Sequence, residues 1–131
     1  MSVSRERQYQ LLESGSALRE LAACSMENLP TDEAKVACPG VAGAFTHRAA
    51  CTVFPNGEMT FHPHFDQVFE AVEQGAADFG VIPVENSSAG SVVDVYDLIL
   101  RYRFYIVRAV TLPVRHFLCG TENSGDIQIV F

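Results

Sequence analysis

The sequence predicts an α/β protein whose sheet is largely parallel, and three observations carry that expectation. Short apolar segments alternate with helical ones from about residue 35 onward. Phe65, Val68, Phe69 and Val72 fall at i, i+3, i+4 and i+7, which lines one face of a helix. Phe79 to Val84 is a near-continuous apolar run, short and branched enough for a strand buried on both faces. Strands and helices in strict alternation give parallel strands joined by crossover helices.

Residues 1–34 stand apart from this pattern. Tyr9, Leu11, Leu12, Leu18, Leu21 and Ala22 make an incomplete helical stripe, interrupted by Ser14-Gly15-Ser16. Met26 to Lys35 is polar around Pro30, which predicts a linker. Lys35 to Cys38 then reads as a strand feeding the turn Gly40-Val41-Ala42-Gly43. Phe45, Ala49 and Val53, spaced by four, predict a helix that Pro55-Asn56-Gly57 ends. Glu58 to Phe61 is a second strand. The helix over Phe65 to Val72 has Asp66 in its first turn and Gly75 just past its end, as the helix dipole and C-terminal geometry favour. After the Phe79–Val84 strand comes a polar loop, Glu85 to Ser91. Val92, Val95, Tyr96 and Ile99 give a further helical stripe. Phe104 to Leu112 and Ile127 to Phe131 read as extended apolar segments.

Composition narrows the function classes. The chain has 131 residues, 48% of them hydrophobic and 19% charged, which suits one folded domain rather than a disordered chain. No apolar run approaches the ~20 residues of a membrane span. No secretory signal pattern opens the sequence, so the expected compartment is the cytoplasm. The net charge is -7, with Lys and Arg scattered, which argues against a nucleic-acid partner. An anionic ligand would have to be held by local donors. None of Cys24, Cys38, Cys51 and Cys119 forms a CxxC pair, so they are expected to be reduced, small apolar residues.

In open parallel sheets ligands bind beyond the carboxyl ends of the strands. Two loops fall there, Gly40 to Thr46 and Glu85 to Ser91, and each opens a helix. Glycines let backbone approach a ligand, and Thr46, Ser87, Ser88 and Ser91 supply hydroxyls. Helix N-termini add unpaired N–H groups with partial positive charge, a suitable cradle for carboxylates. Ordinary helix capping uses the same residue types, and spacing by itself favours it. Gly40 to Gly43 is neither a Walker loop nor GxGxxG. His62-Pro63-His64 lacks a third ligand at diagnostic spacing, so no metal is expected. His47 and His116 have no evident acidic partner, and Glu85 reads as an anchor for its loop.

At these two loops the sequence resembles the prephenate dehydratase family. Gly40-Val41-Ala42-Gly43-Ala44-Phe45-Thr46 is similar to the glycine-rich opening of that catalytic domain. Val81 to Val92, with Pro83-Val84-Glu85-Asn86-Ser87-Ser88-Ala89-Gly90, is similar to its Pro-x-Glu-Asn-Ser-x-x-Gly segment. Phe65 to Phe69, Ala77 to Gly80 and Asp94 to Leu98 extend the likeness, which covers about Lys35 to Phe131. Ser4-Arg5 to Tyr9-Gln10 looks like the tail of a chorismate mutase helix, as in bifunctional P-proteins.

The resemblance implies a three-layer α/β sandwich, a lobe of the type II periplasmic-binding-protein kind. Residues 35–131 would form the N-terminal part of the dehydratase domain, with its first lobe reaching about residue 112 and the second lobe largely missing. It implies a lyase of phenylalanine biosynthesis that converts prephenate to phenylpyruvate, water and CO2, needs no cofactor, and assembles as a homo-oligomer when full length. Asn86, Ser87, Gly90 and Ser91 would bind or orient prephenate, with Gly43, Ala44 and Thr46 completing one wall. The family's Thr-Arg-Phe motif, which carries its essential threonine, does not occur here, so no catalytic residue is assigned and the polypeptide alone is expected to be inactive. Arogenate dehydratase and a non-catalytic carboxylate-binding module of the same fold are the alternatives.

Overall fold

The structure is a computed structural model and describes residues 29–88 and 90–117. The expected helical stripe before Met26, the mutase-like segment at Ser4 to Gln10 and the strand at Ile127 to Phe131 lie outside these residues. β1 (Lys35–Pro39) is the centre of a three-stranded parallel sheet. β2 (Glu58–His62) runs beside it from Lys35↔Glu58 to Pro39↔His62. β3 (Phe79–Gly80) lies on the other side, pairing Val36↔Phe79 and Ala37↔Gly80. The crossovers are α1 (Phe45–Val53) and α2 (Phe65–Glu73). A two-stranded antiparallel hairpin, β4 (Glu85–Asn86) and β5 (Gly90–Ser91), precedes α3 (Val93–Tyr102).

The period-2 geometry of β1 explains why both crossovers pack onto it. Val36 and Cys38 share one face and pack with Ala50 and Val53 of α1. Ala37 points the other way, into Val68 and Ala71 of α2. Every residue from Val36 to Pro39 is buried, as a strand covered on both sides requires. Full burial of a Val-sized side chain stabilises the fold by about 1.5–3 kcal/mol. The cluster around Val36 also takes in Leu29 and Ala34, and Ala34 accepts a hydrogen bond from the Glu58 N–H through its carbonyl. Part of the expected linker is thus packed onto the sheet.

α2 follows its sequence pattern closely. Val68 and Phe69 are buried, Asp66 sits in the first turn, and Gly75 turns the chain out of the helix at φ +73°. β3 passes close beneath it. A Cβ at Gly80 would lie 3.0 Å from Val68 Cγ1 and 3.5 Å from Val72 Cγ2, so glycine lets strand and helix meet.

A second cluster ties α2 to α3 through Phe69, Val95 and Ile99. α3 ends at Arg103, with φ +54°, and the chain turns back so that the Phe104 ring stacks on Phe69 at 5.9 Å and 7°.

Two expected strands differ. The Phe79–Val84 run pairs only through Gly80, with one further bond from Val81 N–H to Ala37 O at 2.9 Å. Pro83 has no N–H to offer a ladder, and Ile82 and Val84 instead fill the space beside α2 and α3. Residues 104–117 contain no strand among the described residues.

Candidate functional site

The carboxyl ends of β1 and β3 lie on one edge of the sheet, because the two strands are neighbours and parallel. Gly40 to Thr46 continues from β1, and the chain after β3 reaches the Glu85–Ser91 hairpin. The two sequence-predicted groups, Gly43, Ala44 and Thr46 on one side and Asn86, Ser87, Gly90 and Ser91 on the other, therefore spring from adjacent strands.

The glycine-rich turn is fixed from several directions. Gly40 N–H donates to His62 O at 2.8 Å, tying the turn to the end of β2. Ala44 N–H donates to Val41 O at 3.1 Å. Gly43 holds φ +90°, a conformation that costs an L-residue about 1–2 kcal/mol, and its N–H donates to Nδ1 of His47 at 2.9 Å. Thr46 Oγ1 donates to Pro39 O at 2.8 Å, so its proton is engaged and its lone pairs remain to accept. The first bond within α1 is Arg48 N–H to Ala44 O, at 3.1 Å. The N–H groups of Phe45, Thr46 and His47 precede it and make up the electropositive end of the helix. Val41 and Phe45 are exposed apolar side chains on this turn.

The second element is a hairpin, where the sequence suggests an irregular loop. Glu85 pairs with Ser91 and Asn86 with Gly90, and Val92 N–H donates to Val84 O at 3.1 Å below them. Val84 and Val92 pack against the cluster of Phe69, Val95 and Ile99, so an apolar base carries a polar tip. Gly90 has φ +79°, and nothing lies within 4 Å of a Cβ built there, so the backbone conformation alone calls for glycine. Asn86 Oδ1 accepts from Ser88 N–H at 2.9 Å, an Asx turn that fixes the side-chain amide. Its Nδ2 hydrogens remain as donors. Asn86, Ser87, Ser88 and Ser91 are exposed, while Ala89 lies outside the described residues.

Capping does not explain these residues. α1 begins after Ala44 and α3 after Val92, and neither has a side-chain capping bond. The serines of the hairpin precede α3 without closing its end. Sequence reasoning gave no role to His47, whose imidazole is the acceptor for Gly43. The available signal was its position four residues after a glycine in a turn. His47 also meets the Phe61 ring edge-on, at 5.1 Å and 88°. On β2, Thr60 Oγ1 and His62 Nε2 are 3.3 Å apart. Among the described residues no group of three or more His, Cys, Asp or Glu is placed to hold a metal ion. Burial, and then Cys51, push the Cys38 thiol up to about 11, away from nucleophilic use.

Comparison with known proteins places these loops among relatives. The chain is 41% identical over 109 residues to arogenate dehydratase 2 of Petunia hybrida, covering 82% of this chain and 27% of that protein. It is 41% identical over 116 residues to arogenate dehydratase/prephenate dehydratase 1, chloroplastic, of Arabidopsis thaliana, covering 86% and 30%. A prephenate dehydratase structure from Streptococcus mutans matches with a TM-score of 0.50 and 34% identity, over 52% of this chain and 36% of that one. The chain thus spans under a third of the length of these curated plant relatives.

The cytoplasmic expectation is corrected here. Several Arabidopsis relatives are named chloroplastic, which contradicts the cytoplasm as the compartment to expect for this family's members. The inference failed because lack of an apolar signal speaks only to secretion; plastid transit segments are Ser- and Arg-rich and carry no such run.

The prephenate dehydratase family profile matches residues 36–131. That stretch runs from within the first strand past the last described helix, so the likeness is one of the whole fold and not of a single motif. The chain belongs to the prephenate dehydratase family.

Proposed function

We propose that this chain supplies the substrate-positioning wall of a plastid dehydratase of phenylalanine biosynthesis, acting on prephenate or arogenate. The observation that carries the reading is that the two polar turns follow neighbouring parallel strands, both inside the family match and neither with a side-chain capping bond to the helix it precedes. In the reaction the ring carboxylate leaves as CO2, its bonding electrons move into the ring, and the ring hydroxyl leaves with a proton as water. Restored aromaticity provides driving force, so the protein's task is to hold two carboxylates and align the leaving hydroxyl with a proton donor.

Here the Nδ2 hydrogens of Asn86, the hydroxyls of Ser87 and Ser91 and the first N–H groups of α1 hold the carboxylates. Gly43, Ala44 and Gly90 let them approach the backbone. Thr46 contributes as a braced acceptor, since its proton is committed to Pro39. Local donors of this kind suit a chain of net charge -7. The wider frame of the proposal is a two-lobed, three-layer architecture of the periplasmic-binding-protein type, with residues 35 to about 112 as one lobe. A homo-oligomeric whole protein rests on the family resemblance. The mutase-tail proposal rests only on Ser4, Arg5, Tyr9 and Gln10.

The test is a chimera in which residues 36–117 replace the matching stretch of the Streptococcus mutans enzyme, assayed with prephenate and with arogenate. Asn86→Ala and Ser91→Ala should each lower kcat/KM by roughly tenfold or more, the effect of losing a charge-assisted hydrogen bond. Unchanged kinetics in both variants would refute the assignment. The ratio of the two substrates' kcat/KM values decides between keto acid and amine.

A further inference from the structure

We infer that His47 is a positioning residue of this site: its imidazole, as a hydrogen-bond acceptor, holds the glycine-rich turn in its binding shape. The inference rests on the substrate-wall reading and deepens it.

Gly43 N–H reaches Nδ1 of His47 at 2.9 Å. A ring nitrogen that accepts carries no proton, so the ring hydrogen sits on Nε2. Gly43 is also the residue at φ +90°, in a region of backbone that turns readily when untied. The bond thus lands on one of the two glycines that the turn holds at positive φ. The ring itself is oriented by the edge-on Phe61 contact at 5.1 Å, and Phe61 belongs to β2. The same strand end accepts Gly40 N–H through His62 O. One end of the turn is therefore held by backbone and the other by a side chain of α1 packed on β2. With Gly43 N–H satisfied internally, the donors left to a ligand include those of the helix end that begins at Phe45. Pre-ordering of this kind lowers the entropy a ligand must overcome on binding.

Two substitutions separate the acceptor from the ring. His47→Asn places Oδ1 about where Nδ1 lies and removes the ring. His47→Phe keeps an aromatic ring against Phe61 and removes the acceptor. Prephenate is titrated into the full chain and both variants, with thermal unfolding followed alongside and the Gly43 amide resonance read by NMR. Loss of one net hydrogen bond predicts roughly three- to tenfold weaker binding for His47→Phe and a shifted Gly43 amide, with His47→Asn close to wild type. Equal binding by His47→Phe and wild type would overturn the inference while leaving the substrate-wall reading intact. So would equal weakening by both variants, which would assign the effect to the ring. No saturable prephenate binding by the unsubstituted chain would overturn the substrate-wall reading itself, and this inference with it.

Discussion

Replacing Gly80 by alanine tests how closely β3 and α2 are fitted. The added Cβ would sit 3.0 Å from Val68 Cγ1, against the 3.5–4.0 Å at which two carbon atoms attract. Val68 cannot readily yield, since it is 1% exposed and packs with Ala37, Ala71 and Ala77. Over-packing of this kind costs about 1–3 kcal/mol. The narrower unfolded ensemble of alanine returns about 0.4–1 kcal/mol. The net expectation is a loss of about 1–2 kcal/mol, or a Tm lower by roughly 4–8 °C, measured by circular dichroism and urea unfolding. A double-mutant cycle locates the cause. Val68→Ala removes the clashing methyl, so in the Gly80→Ala background it should cost about 1 kcal/mol less than in the original chain. An unchanged or higher Tm, or strict additivity of the two substitutions, would refute the close-approach argument.

Two other outcomes follow from single residues. Gly90→Ala should destabilise the hairpin by about 1–2 kcal/mol through backbone strain alone, since the new methyl meets nothing, and Gly90→Asn should cost less; hydrogen exchange at residues 85–92 reads this, and equal exchange in Gly90→Ala would contradict it. Burial, and then Cys51, push the Cys38 thiol up from its ordinary value of 9.0 to about 11. Between those values the unfolded chain gives up this proton and the folded one keeps it, so the contribution is complete below about pH 9 and is lost as pH rises toward 11. Urea unfolding across that window should therefore show a falling stability whose slope shrinks in Cys38→Ala; an identical slope would exclude the thiol as its source.

What was legible in the sequence was local. The Phe65–Val72 spacing marks α2 because a helix folds on contacts three and four residues apart. Pro55-Asn56-Gly57 and Gly75 mark the ends of α1 and α2 for reasons held within a few residues. Pairing is not local, and there the reading falls short. The apolar run Phe79–Val84 looks like one strand, but only Phe79 and Gly80 face β1, and Pro83 closes off further ladder bonds. The polar stretch Glu85–Ser91 looks irregular, yet the Asn86–Ser88 turn bond and Gly90 at positive φ close it into a hairpin. Composition suits both capping and ligand binding at the two turns, and spacing by itself favours capping. The helix starts at Phe45 and Val93, with Ala44 and Val92 before them, show that these polar residues make no side-chain capping bond there. His47 receives no role from the sequence because its partner is a backbone N–H, at which only its spacing from Gly43 hints.

The central claim is that the Gly40–Thr46 turn and the Glu85–Ser91 hairpin form one face of a single carboxylate site. Residue-resolved NMR of the isotopically labelled chain, titrated with prephenate, tests it most directly. The account predicts saturable shifts at residues 40–47 and 85–92 that fit one common binding constant. Shifts confined to one turn, different constants for the two, or a perturbed surface elsewhere would contradict it.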